Sequence, residues 1–124
     1  MPMFTLSVKD TFAAAHRLED YHGKCEALHG HNFTVETFYE GEAPNASGMV
    51  LDFGVLKDRL RAVLTSLDHT YINDIPFFHE RPSSSEYIAM YIYNELKKLA
   101  EQGPVRLTEV RVWESGTAWA SYHE

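Results

Sequence analysis

Two histidines one residue apart, His29-Gly30-His31, carry the most specific chemistry in this chain. Residues two apart on a strand project to the same side, so both imidazoles could converge on one metal ion, with Gly30 adding no side chain between them. Taken alone, the pair is a weak signal that suits two hydrogen-bonded rings better than a metal. His16 adds a third imidazole: it follows Ala13-Ala14-Ala15, whose small side chains leave space, and an antiparallel neighbour could carry it to the pair. Three neutral imidazoles without an obvious fourth ligand suit a catalytic zinc site, whose open position takes water or substrate. Cys25, four residues before His29, is the alternative fourth ligand, which would close a structural site instead. Held near a cation but not bonded to it, the same thiol would have a lowered pKa and act as a base or nucleophile.

Further along, Asp68-His69 sets a carboxylate beside an imidazole, an arrangement that fixes the tautomer for proton transfer but also suits the C-terminus of a helix. Cys25 with His69 could also form the nucleophile and base of a metal-independent hydrolase. Glu114 shares strand parity with Val110 and Val112, so an inward-facing parity would place a carboxylate at the core's edge. There it could receive two parallel N–H donors from a guanidine-like ligand edge. His22 is a spare ligand candidate that reads as a loop residue, and His79 and His123 read as surface or loop positions.

These side chains need rigid elements to hold them. Phe4, Leu6 and Val8 alternate with polar residues, predicting a strand that ends towards His16. Residues 28 to 39 form a second extended candidate, with His29, His31, Phe33, Val35, Thr37 and Tyr39 on one parity, interrupted by Phe38 on the other. The turn formers of residues 40 to 48 lead to Met49-Val50-Leu51. Asp52 can cap a helix whose apolar positions, Phe53, Leu56, Leu60, Val63, Leu64 and Leu67, recur at steps of three and four. A second helix is expected near Ser83, where Ser83 and Glu86 make a capping box after Pro82, with Ile88, Tyr91, Ile92, Leu96 and Leu99 as its stripe and Gly103-Pro104 as its stop. Val105 to Glu114 alternates again, and residues 119 to 122 complete a hairpin across Ser115-Gly116-Thr117. The order strand-strand-helix-helix-strand-strand predicts one α+β domain over residues 1–124, an antiparallel sheet with both helices on one face.

The chain's 124 residues are enough for a single core, and a composition 44% apolar excludes general disorder. A formal charge of −7 has the wrong sign for coating nucleic acid or anionic lipid. The N-terminus shows no signal-peptide pattern and no apolar run approaches a membrane span, so the expected location is the cytoplasm. One Cys against seven His excludes an internal disulfide and points to imidazole chemistry.

Taken together, His16, Cys25-x-x-x-His29-Gly30-His31, Leu51-Asp52-Phe53, Leu67-Asp68-His69, Pro82-Ser83-Ser84-Ser85-Glu86 and Val110-Arg111-Val112-Trp113-Glu114 resemble the 6-pyruvoyltetrahydropterin and 6-carboxytetrahydropterin synthase family. The blocks run in family order across nearly the whole chain. The compact length and the tail Trp113-Glu114-Ser115-Gly116-Thr117-Ala118-Trp119-Ala120 look more like the bacterial carboxytetrahydropterin branch of the queuosine pathway. The resemblance implies a tunnelling fold, a homo-oligomer of trimeric barrels stacked as a hexamer, and active sites at subunit contacts. It further implies zinc on His16, His29 and His31, and a 7,8-dihydroneopterin triphosphate substrate. Cys25 would abstract a side-chain proton, Asp68 and His69 would form the relay, and Glu114 would anchor the pterin edge and join the relay. Ser84, Ser85 and Glu86 would line the pterin pocket, with Ser where the family often has Thr. A triphosphate sits awkwardly with the acidic chain, and Lys9, Arg17, Lys24 and Arg81 are the cations that could receive it.

Overall fold

A computed structural model describes residues 3–18, 28–99 and 103–124. The elements are β1 (Phe4–His16), β2 (His29–Gly41), α1 (Phe53–Leu64), α2 (Ser85–Leu99), β3 (Val105–Trp113) and β4 (Trp119–Tyr122), with two 3-10 turns, Ile72–Asp74 and Pro76–Phe78, between the helices. The strands form one antiparallel sheet in the order β1-β2-β3-β4. This is the expected α+β arrangement, and the helices cover one face of the sheet.

Strand alternation decides what that face contains. Leu6, Val8, Phe12, Ala14 and His16 of β1 are buried, as are Phe33, Val35, Thr37 and Tyr39 of β2, and they pack with Leu56, Leu60, Ile88, Ile92 and Leu96 of the helices. β1 runs through its three alanines to His16, well beyond the stretch that the Phe4–Val8 alternation marked. Alanine has low strand propensity, but pairing with β2 on one side and with the 68–71 segment on the other supplies the missing stabilisation.

β3 reads ambiguously because it changes parity. Phe38 pairs with Glu109 and Tyr39 with Leu107, so Thr108 is an extra residue in a β-bulge. Its hydroxyl donates to the Phe38 carbonyl at 3.1 Å. Val105 and Leu107 face the helices before the bulge, and Val110 and Val112 face them after it. Glu114 therefore follows on the inward parity.

Asp52 caps α1 as expected, accepting the Gly54 N–H at 2.8 Å. Phe53 and Leu99, assigned to the apolar stripes, are exposed, while Leu67 is buried in the turns that follow α1. The second cap also differs from expectation. α2 begins at Ser85, and Ser84 accepts the Tyr87 N–H at 3.3 Å, so the cap is Ser84 and the Ser83–Glu86 box does not form. Ser83 is fully buried and directs its hydroxyl to the end of β1 instead. Among the described residues no helix is long and apolar enough to cross a membrane.

Candidate active site

The sheet register builds the site at one end of β1 and β2. His16 pairs directly with position 29, and Ala14 pairs with His31, so His31 lies one diagonal step from His16. The rings of His16 and His31 stand 6.2 Å apart between centroids. Beneath them lies Phe33, fully buried, 5.3 Å from the His16 ring and 4.7 Å from the His31 ring. Phe33 in turn stacks on Phe12 at 4.9 Å, which ties both imidazoles to the core.

Each ring is oriented by a backbone carbonyl. His16 Nδ1 lies 2.8 Å from the Ser83 carbonyl oxygen, and His31 Nε2 bonds the carbonyl oxygen of Glu114. A carbonyl only accepts, so the proton sits on Nδ1 of His16 and on Nε2 of His31. A neutral ring then presents its other nitrogen as a lone pair, the state and the outer partner that metal-bound histidines usually have. The donor set thus fits a divalent metal such as zinc. Among the described residues no three ligating side chains form a cluster, and the His29 side chain is not one of them. Cys25, His22 and Lys24 also lie outside the described residues.

Asp68 and His69 meet as the sequence suggested, but at the edge of β1 and away from its buried face. Asp68 Oδ1 accepts the Ala13 N–H at 2.9 Å, and Oδ2 lies 3.1 Å from His69 Nδ1. The His69 N–H donates to the Ala13 carbonyl and the Ala15 N–H to the Thr70 carbonyl, a short parallel bridge that covers the strand edge. The Ala13 N–H, and secondarily His69, hold the Asp68 carboxyl below its usual range. His69 adopts φ 59°, in the left-handed region, and its side chain is 82% exposed. With His31, Gly30 and Tyr71 it lines an open depression of about 660 Å³.

Glu114 joins the site through its carbonyl to His31, and its half-buried residue closes the β3–β4 turn by donating its N–H to Ala118 O. It also lines a cavity of about 370 Å³ beside Lys9, Asn32 and Trp113. The serine-rich turn meets the other imidazole: Ser83 touches His16, Ser84 caps α2, Ser85 is buried with an unpartnered hydroxyl, and Glu86 is exposed. Of the candidate cations, Arg17 and Arg81 line one further cavity of about 380 Å³ with Asn73 and His79. Ser83 and Asn73 are the residues that sequence reasoning missed. Ser83 was hidden by its plausible role as a cap, and Asn73 lies in an aperiodic stretch.

A sheet end that gathers two imidazoles, the backbone carbonyl of Glu114 and a serine-rich turn, under a layer of two helices, defines an enzyme domain of the tunnelling-fold class. The chain belongs to the 6-pyruvoyl tetrahydropterin synthase family, a family of lyases, and the family model matches residues 5–124. A 6-carboxy-5,6,7,8-tetrahydropterin synthase of Synechocystis is 38% identical over 97% of this chain and 93% of its own length. A putative 6-pyruvoyl tetrahydrobiopterin synthase of Caenorhabditis elegans is 36% identical over 80% of each chain. The solved structure of the Caenorhabditis elegans 6-pyruvoyl tetrahydropterin synthase superposes with a TM-score of 0.89 at 33% identity, covering 100% of this chain and 97% of that one.

Proposed function

We propose that this chain is a zinc-dependent 6-carboxy-5,6,7,8-tetrahydropterin synthase, converting 7,8-dihydroneopterin triphosphate to the carboxypterin with release of acetaldehyde and triphosphate. The observation that carries the reading is the His16–His31 pair, with both rings oriented by carbonyls and position 29 set opposite His16. His16, His29 and His31 would hold the zinc, which would supply Lewis-acid polarisation that makes a substrate hydroxyl more acidic. Cys25 takes a proton from the substrate side chain, and His69, fixed by Asp68, relays it. The Glu114 carboxylate receives the amino-pyrimidine edge by paired N–H donors, with Ser84, Ser85 and Glu86 lining the pocket. Arg17 and Arg81 offset the triphosphate charge against an otherwise acidic chain.

Exposure of His69 at an open depression suits a site completed at a subunit contact, and we assign a homo-oligomer, a trimer or its stacked hexamer, of cytoplasmic location. The second reading is the pyruvoyl-forming reaction, favoured by the likeness to the Caenorhabditis elegans relative. Mass spectrometry after incubating the zinc-loaded protein with 7,8-dihydroneopterin triphosphate separates the two. Acetaldehyde with a carboxypterin supports the first, a pyruvoyl product supports the second, and full turnover after chelation refutes both.

A further inference from the structure

His16 is oriented by a polar clamp that lies outside the set of candidate ligands and is only partly buried. The Asn73 side chain pairs with the backbone of Arg17 as a strand would: the Arg17 N–H donates to Asn73 Oδ1 and Asn73 Nδ2 donates to the Arg17 carbonyl, each at 2.9 Å. The Ser83 hydroxyl lies 3.1 Å from both the Arg17 carbonyl and Asn73 Oδ1, so its single proton is shared between two acceptors. Ser83 is fully buried, and its own carbonyl takes the Nδ1–H of His16, which is also fully buried. Three separate segments, the end of β1, the 72–74 turn and the approach to α2, therefore converge on one imidazole.

We propose that Ser83 and Asn73 are positioning residues for His16. They fix the direction of the Ser83 carbonyl, which keeps the His16 proton on Nδ1 and presents Nε2 as the ligating nitrogen. Without the hydroxyl the Ser83 peptide is free to turn, the carbonyl loses its aim, and the competing tautomer blocks Nε2 with a proton. Outer partners of ligating histidines alter metal affinity by roughly 10- to 100-fold. Ser83 Oγ and Asn73 act one bond further out, so a loss of about tenfold is expected, at the lower end of that range.

The inference rests on the reading of His16 as a zinc ligand, so the experiment includes His16→Ala. Zinc affinity is measured by competition with a chromophoric chelator, and the visible spectrum of the cobalt-substituted protein is recorded for wild type, Ser83→Ala, Asn73→Ala and the double variant. Expected are an affinity loss of about tenfold in each single variant, a double variant no weaker than the weaker single, and shifted cobalt bands with an unchanged far-ultraviolet circular dichroism spectrum. Asn73→Ala, at a half-buried position, carries the test if Ser83→Ala does not fold. Unchanged affinity and superimposable cobalt spectra, with His16→Ala still losing the metal, overturn the clamp while leaving the zinc site standing. Undiminished binding in His16→Ala overturns the metal reading itself, and the clamp with it.

Discussion

Replacing Phe33 with alanine tests whether the core under the imidazoles is part of the site. The Phe33 ring is fully buried and touches Phe12, His16 and His31. Removing it costs ~3–5 kcal/mol, the usual range for a buried Phe→Ala change. At ~3–5 °C per kcal/mol for a chain of this size, the melting temperature of metal-free protein falls by about 9–25 °C. The two contacts with the histidines are each worth ~0.5–1.5 kcal/mol, and without them that ordering must be supplied when the rings engage a metal. Zinc affinity therefore falls by roughly 5- to 140-fold, at about 1.4 kcal/mol per decade. Leu96→Ala is the control: Leu96 is fully buried on α2, roughly 16 Å along the helix from its first residue Ser85, and costs a comparable ~2–5 kcal/mol. Thermal melts in chelator and zinc competition well below both melting points provide the assay. The reasoning is refuted if the two variants lose zinc affinity equally, or if Phe33→Ala binds zinc as wild type does.

Asp68→Asn removes the charge from the carboxyl that fixes His69, and turnover is expected to fall by at least ~100-fold, since an amide can orient the wrong tautomer. The same substitution has a pH signature. The Asp68 carboxyl is held below its ordinary value of 3.8, first by the Ala13 N–H and then by His69. Its contribution to stability is therefore complete above the unfolded value and is lost as pH falls through the lower folded value. Urea midpoints of wild type and Asp68→Asn should differ above about pH 4 and converge below it; a gap that persists unchanged into that acid range contradicts the assignment. At position 69 the backbone itself makes a prediction, because φ 59° is costly for any residue with a Cβ. His69→Gly should be more stable than His69→Ala by ~1 kcal/mol, reversing the usual order, with both inactive. Equal melting curves would show that the left-handed turn is not retained in solution.

The pattern of residues was informative wherever one side of an element meets the core. The alternation of β2, the three-and-four spacing of α1 and α2 and the Asp52 cap each reflect a local rule, and each appears in the fold. Local rules failed where two solutions compete for the same residues. Ser83 and Ser84 both can cap α2, and the choice fell to Ser84 because Ser83 is taken up by Arg17 and Asn73. The Thr108 bulge likewise escapes a strict period of two, since one inserted residue moves every later side chain of β3 to the other face.

The sequence by itself determined which chemistry is available: imidazoles at 16, 29 and 31, a lone thiol, an Asp-His pair and the order of the elements. Those follow from residue identity and from spacing along one chain, which alternation and helical period translate directly into faces. Only the tertiary structure decided which of these groups meet. The β1–β2 register brings His16 opposite position 29, the β3–β4 turn offers its Glu114 carbonyl to His31, and Ser83 arrives at His16 from 67 residues away. The same packing leaves the Asp68–His69 pair on the strand edge, where its imidazole faces solvent. Such pairings depend on non-local burial and on backbone carbonyls, which every residue carries and no residue type announces.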